Sequence, residues 1–278
     1  MLFTIIAIMT ALVSLSVHEI GHAYAMRECG VRVEAISLLG IRLRGLGTLR
    51  LPVKFRFFPG TEWRVHPLIV GAYVEPDEAG MKALSRGDAL YVLGMGPLAN
   101  ILFSLVVVFV LAVLVGALEV TGVYPGASFL GLEKTAVLAG LITGGWWLRR
   151  TVCQFLLLPI GCLLLLYLVY AVFPVVGTPI PGISDLVAGI HELRGSADSS
   201  PPLFFEIVLA IAIGTALSVF LGLGNLLPFV PFDGGVMMRT LFPSMWRDSY
   251  SYVTAPFFVV WNVGVFWRDL TNLIRWLF

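Results

Sequence analysis

Two imidazoles and a carboxylate stand at helical spacing near the start of the chain, in His18-Glu19-Ile20-Gly21-His22. Residues four apart share one face of a helix, so both rings can offer a nitrogen to a single metal ion. Glu19 projects beside that ion, where a carboxylate can take a proton from an activated water and hand one to a leaving amine. The residue types are those of hydrolytic zinc chemistry, with His18 and His22 as ligands and Glu19 as general base. A catalytic zinc needs a third protein ligand and an open position. The acids outside the motif that fall in or beside apolar stretches are Glu206, Asp233 and Asp269.

The elements that must position these groups are set by composition. Of 278 residues, 58% are hydrophobic and 13% charged, where a soluble domain carries roughly 25% charged residues. Apolar runs occur at Leu2 to Val17, Leu98 to Leu118, Val152 to Val172 and Leu203 to Leu227, with a shorter one at Val253 to Trp267. Runs of this length read as membrane spans. The expected fold is mainly α, a polytopic helical bundle forming one domain over residues 1–278. It has about six spans if residues 135–173 form an extra helical hairpin.

A net charge of +1 says nothing about nucleic acid, no nucleic-acid partner is expected, and the expected surroundings are the lipid bilayer. Ten of the eighteen Lys and Arg lie between Arg27 and Arg86. By the positive-inside rule this stretch faces the cytoplasm, and the first helix runs inward from outside. Residues 31–75 change character: Val31, Val33, Ile41, Leu43, Leu49, Leu51, Val53 and Phe55 alternate with polar residues and glycine, which predicts two or more short strands at the membrane face. Glu75 to Asp88 reads as a polar loop, and Gly94 to Pro97 as the opening of the second helix. Residues 174–202 read as an external loop carrying one surface helix, and Cys29, Cys153 and Cys162 as free thiols.

Depth selects the third ligand. His18 and His22 fall near the inner end of the first span. A span from Leu203 to Leu227 that runs inward delivers Asp233 beside them, whereas Glu206 begins the same span on the far side. The intervening segments must then cross the membrane twice or not at all. Arg149-Arg150, between two apolar runs, suits the cytoplasmic tip of a hairpin.

Three motifs in order resemble the site-2 protease family of intramembrane zinc metalloproteases. His18 to His22 is similar to its HExxH, Gly96-Pro97-Leu98-Ala99-Asn100 to its GPxxN, and Asn225 through Gly235 to its NxxPxxPxDG, with Phe232 where Leu is usual. Gly60 to Trp63 and Gly71-Ala72-Tyr73-Val74 resemble the membrane-associated β-loop of bacterial members, and Trp261 to Leu273 the closing helix. The resemblance implies one Zn2+ per chain held by His18, His22 and Asp233. It implies that Asn225 polarises the scissile carbonyl and Asn100 positions substrate, with Gly71 and Tyr73 at the substrate strand. It further implies substrates among membrane-anchored proteins or peptides with a transmembrane segment, cleaved in regulated intramembrane proteolysis or signal-peptide clearance. The expected location is the prokaryotic plasma membrane, with the site toward the cytoplasm. Regulated bacterial members carry PDZ domains between the second and third core spans, where this chain has two apolar segments instead. A metal transporter or scaffold would use the same ligands but has no need of Glu19.

Overall fold

The computed structural model describes residues 2–39, 49–52, 55–65, 72–121, 132–172, 203–228 and 232–243. Helix α1 (Leu2–Glu28) is 27 residues long, about 40 Å at the usual rise. Past Gly30, which takes a positive φ of 78°, the chain enters a four-stranded sheet. Its strands are β1 (Val33–Leu39), β2 (Leu49–Leu51), β3 (Glu62–Val65) and β4 (Tyr73–Pro76), in the order β2-β3-β1-β4. β1 runs parallel to β3, with Ile36 opposite Trp63, and antiparallel to β4, with Ile36 opposite Val74. Alternation buries Val33, Ala35 and Ser37 of β1, but Ile36 is also fully buried, because the sheet lies against α1 on one side. Ser16 of α1 donates to the Leu38 carbonyl at 2.5 Å, which fastens helix to sheet. On β3, Arg64 bridges Glu62 and Glu75. Its hydrogen bond holds the Glu62 carboxyl below the usual carboxylate range.

The segment expected to be a polar loop contains a short helix, α2 (Glu78–Lys82), capped by the Asp77 side chain accepting from Gly80 N–H at 2.9 Å. Helix α3 (Arg86–Val120) then starts well before Gly94, and Pro97 lies inside it rather than at its first turn. The reason is local: Ser85 and Asp88 form a reciprocal cap, with Asp88 N–H donating to Ser85 Oγ and Ser85 Oγ–H to the Asp88 carboxylate. An interior proline is tolerated in membrane helices whose neighbours stabilise the freed backbone.

Helix α4 (Leu132–Trp147) leads through a break at Leu148 into the short α5 (Arg149–Thr151), a π turn at Val152–Leu156 and α6 (Leu157–Val172). The pair is bent by 74° at this break, between the two apolar runs for which a hairpin is expected. Its corner is held by ion pairs. Arg149 pairs with Glu28 at 2.6 Å and donates to Tyr91, and Arg150 pairs with Asp88 at 3.4 Å, so the corner sits by the end of α1 and the start of α3. Helices α7 (Leu203–Asn225) and α8 (Asp233–Leu241) complete the described chain.

Helices α1, α3 and α7 pack against one another and form the frame of the site. Small residues permit their close approach: a Cβ on Gly21 of α1 would lie 2.6 Å from the Met95 carbonyl and 2.7 Å from Ala99 Cβ on α3. The outer stripe of α3, Val106, Val110, Val113 and Leu114, stays exposed at helical spacing, as does Phe220 of α7. Apolar residues left outward on long helices suit lipid. Among the described residues, Arg86–Ala117 and Glu206–Asn225 are long and apolar enough to cross a membrane, and the bent pair makes up to three such units. That is fewer than the six spans expected. The run at Val253 to Trp267, the closing helix expected at Trp261 to Leu273, Gly71 and the loop expected at 174–202 lie outside the described residues.

Candidate metal centre

His18 and His22 occupy the inward face of α1, each 6% exposed, and α8 brings Asp233 to them from its first residue. The Asp233 Oδ2 atom lies 3.0 Å from His18 Nε2 and 3.3 Å from His22 Nε2, and the two Nε2 atoms are 3.1 Å apart. Ligands about 2.0–2.2 Å from a tetrahedral zinc are separated by about 3.3–3.5 Å. The observed triangle is close to that size, so the three residues fit one zinc.

The protonation pattern fits as well. His22 Nδ1 is 2.7 Å from the Val92 carbonyl, which can only accept. Its proton is therefore on Nδ1, and Nε2 presents a lone pair toward Asp233 and His18. His18 Nδ1 lies 3.2 Å from the amide of Asn100. With Nδ2 toward His18, the Asn100 Oδ1 has no partner among the described residues although it is fully buried. The opposite amide orientation gives Oδ1 the Nδ1–H of His18 and frees that Nε2 for a metal as well.

Asn100 thus backs His18 while also lining the cavity on which the donor triangle opens. Its backbone carbonyl accepts from Ser104 at 2.8 Å and from Ser218 of α7 at 3.3 Å, which fixes the backbone that carries the amide. Asn100→Leu, similar in size but unable to hydrogen-bond, is expected to weaken metal binding about 10- to 100-fold, as loss of a ligand's supporting partner does elsewhere. Titration of the purified variant against a competing chelator measures it.

The donor triangle opens on a cavity of about 360 Å³ lined by His18, Glu19, His22, Asp233, Asn225 and the strand residues Ala72 and Val74. Glu19 is half-buried there, and the backbone N–H of Val74 faces its carboxyl. Asn225 donates one amide N–H to the Leu221 carbonyl at 3.1 Å, which leaves it a second. Tyr73 does not line the cavity: between Ala72 and Val74 it points to the other face of β4, where it hydrogen-bonds Arg64. Ala72, Val74 and Met81 are cavity residues that sequence reasoning missed. Strand alternation could have found the first two once Tyr73 was assigned outward. Among the described residues, His18, His22 and Asp233 form the one cluster of metal-ligating side chains.

Comparison with known proteins agrees with this site. A stretch of 109 residues is 29% identical to a protein of Pasteurella multocida (strain Pm70) named as a zinc metalloprotease, covering 35% of this chain and 23% of that protein. The chain thus matches less than a quarter of that relative's length. The model of Peptidase family M50 matches residues 4–261, a stretch that contains all three metal-site side chains and Glu19. The chain therefore belongs to Peptidase family M50, the metalloprotease family of the site-2 proteases.

Proposed function

We infer that the chain is an intramembrane zinc metalloprotease that hydrolyses peptide bonds within or next to transmembrane segments of membrane-anchored proteins. The observation that carries this reading is the joining of three converging donors, Glu19 and an edge strand in one cavity. One zinc per chain would be held by His18, His22 and Asp233. When bound, the metal supplies Lewis acidity for a carbonyl and for water. Glu19 is the chain's own proton acceptor at that place and later its donor to the leaving amine. The free amide N–H of Asn225 suits a developing oxyanion across the cavity.

A transmembrane helix hides its peptide bonds in its own hydrogen bonds and must unwind before cleavage. β4 is an edge strand, pairing with β1 alone among the described strands, and its residue Val74 and the preceding Ala72 line the cavity. An extended substrate added to that edge would pass the donor triangle. Ten of the eighteen Lys and Arg fall between Arg27 and Arg86 in the sequence, and the Arg149-Arg150 corner lies beside Glu28 at the end of α1 and Asp88 at the start of α3. This supports a site toward the cytoplasmic side of a prokaryotic plasma membrane.

Membrane-peptide proteomics of cells with and without the chain tests the function. Apolar peptides the length of a span should accumulate in cells lacking it and return to baseline on re-expression. Identical peptide inventories would overturn the reading.

A further inference from the structure

A band of rings and guanidiniums surrounds the last turns of α1, assembled from three segments far apart in sequence. Phe57 stacks on Tyr24 with ring centroids 5.6 Å apart and planes within 3°. Arg27 lies over the Phe57 ring at 4.3 Å and donates to the Phe57 carbonyl. Tyr24 meets Trp146 at 5.1 Å, and the neighbouring Trp147 is 80% exposed. Phe58 and Trp63 are buried, while Phe55, edge-on to Trp63, and Phe57, edge-on to Phe58, each leave about half of their surface exposed.

The charges of this band divide into two kinds. Arg149 and Arg150 are neutralised by Glu28 and Asp88. Arg27 and Arg56 have no carboxylate partner among the described residues, and both are exposed. The band therefore offers two uncompensated guanidiniums beside exposed rings at one end of a membrane-crossing bundle. Aromatic side chains partition to the headgroup level of a bilayer, and guanidinium matches phosphate by charge and by its fork of donors.

We propose that Arg27, Arg56, Phe55, Phe57 and Trp147 form a binding surface for anionic phospholipid headgroups of the bilayer that holds the chain. The rings lodge among the glycerol and upper acyl groups, and the two arginines bind lipid phosphates. This attaches the sheet that carries β4 to the membrane surface and sets its height relative to the cavity.

Native mass spectrometry of the purified full chain in micelles doped with equal phosphatidylglycerol and phosphatidylcholine tests the proposal. The wild type should retain phosphatidylglycerol preferentially. Each basic residue near an anionic surface is worth on the order of a fivefold gain, so Arg56→Gln should cut the preference about fivefold. Arg27→Gln with Arg56→Gln should cut it roughly thirtyfold, with zinc content unchanged. Arg56 is exposed and forms no ion pair among the described residues, so its single variant removes a charge without breaking a salt bridge and keeps the test decisive. Equal retention of both lipids by the wild type, or an unchanged preference in Arg56→Gln and the double variant, would overturn the proposal. So would a dimer of the chain that Phe57→Ser dissociates, since the band would then be covered by a second copy.

Discussion

A single methyl group added at Gly96 should strip the chain of its metal. A Cβ there would fall on His22 Nε2 and stand 2.8 Å from His18 Nε2, between the very nitrogens that face Asp233. Neither ring has a free path of retreat. His22 is tethered through Nδ1 to Val92, His18 through Nδ1 to Asn100, and both rings are buried. Moving α3 away from α1 would forfeit the close packing of Gly21 against the Met95 carbonyl and Ala99. The methyl must therefore displace an imidazole or occupy the place of the ion. Loss of one supporting hydrogen bond costs a metal site about 10- to 100-fold, and displacement of a ligand should exceed that range. Metal analysis of purified Gly96→Ala should find the zinc largely absent. Gly116→Ala is the matched control, since a Cβ on Gly116 meets nothing within 4 Å. A full metal complement in Gly96→Ala would refute the assigned geometry.

Glu19→Gln should separate metal binding from turnover. The side chain keeps its size and its place at the cavity wall opposite Val74, and it is not among the three converging donors. What the amide cannot do is accept a proton. General-base assistance is worth roughly 10²–10⁴-fold, so cleavage of a membrane peptide co-reconstituted with the purified protein should slow by that factor. Zinc content should match the wild type. Slow turnover with zinc also lost would assign Glu19 to the coordination shell, and turnover within about threefold of wild type would show that another group moves the proton.

The metal centre was legible in the residues because its constraints are local and strong. Helical spacing alone puts His18 and His22 on one face, and the depth of α7 alone separates Asp233 from Glu206. Groups acting through orientation were less legible. Nothing in Gly96-Pro97-Leu98-Ala99-Asn100 states which way the amide points; that depends on the rotation of α3 against α1, fixed by Gly21 and Ala99 packing. Tyr73 was assigned to the substrate strand, yet a strand shows opposite faces at successive residues, and register gives the cavity to Ala72 and Val74.

In the fold, Ser85 and Asp88 carry the signal for the early start of α3, while Pro97, a residue that usually opens a helix, lies in its interior. The parallel pairing of β1 with β3 joins segments whose alternation is similar in every candidate register, so pattern alone could not select it. The accessory bent pair is placed by long-range contacts. Arg149 reaches Glu28, and a Cβ on Gly161 would fall on the Leu226 carbonyl, ahead of the loop to Asp233. Neither contact has a local signature.

The central claim is that His18, His22 and Asp233 share one zinc, and X-ray absorption at the zinc edge of the purified chain tests it most directly. The account predicts one zinc per chain with two imidazole nitrogens and only oxygen in the remaining shell, the oxygen contribution changing in Asp233→Ala. Sulfur scattering from Cys29, Cys153 or Cys162, or an identical spectrum in Asp233→Ala, would contradict it.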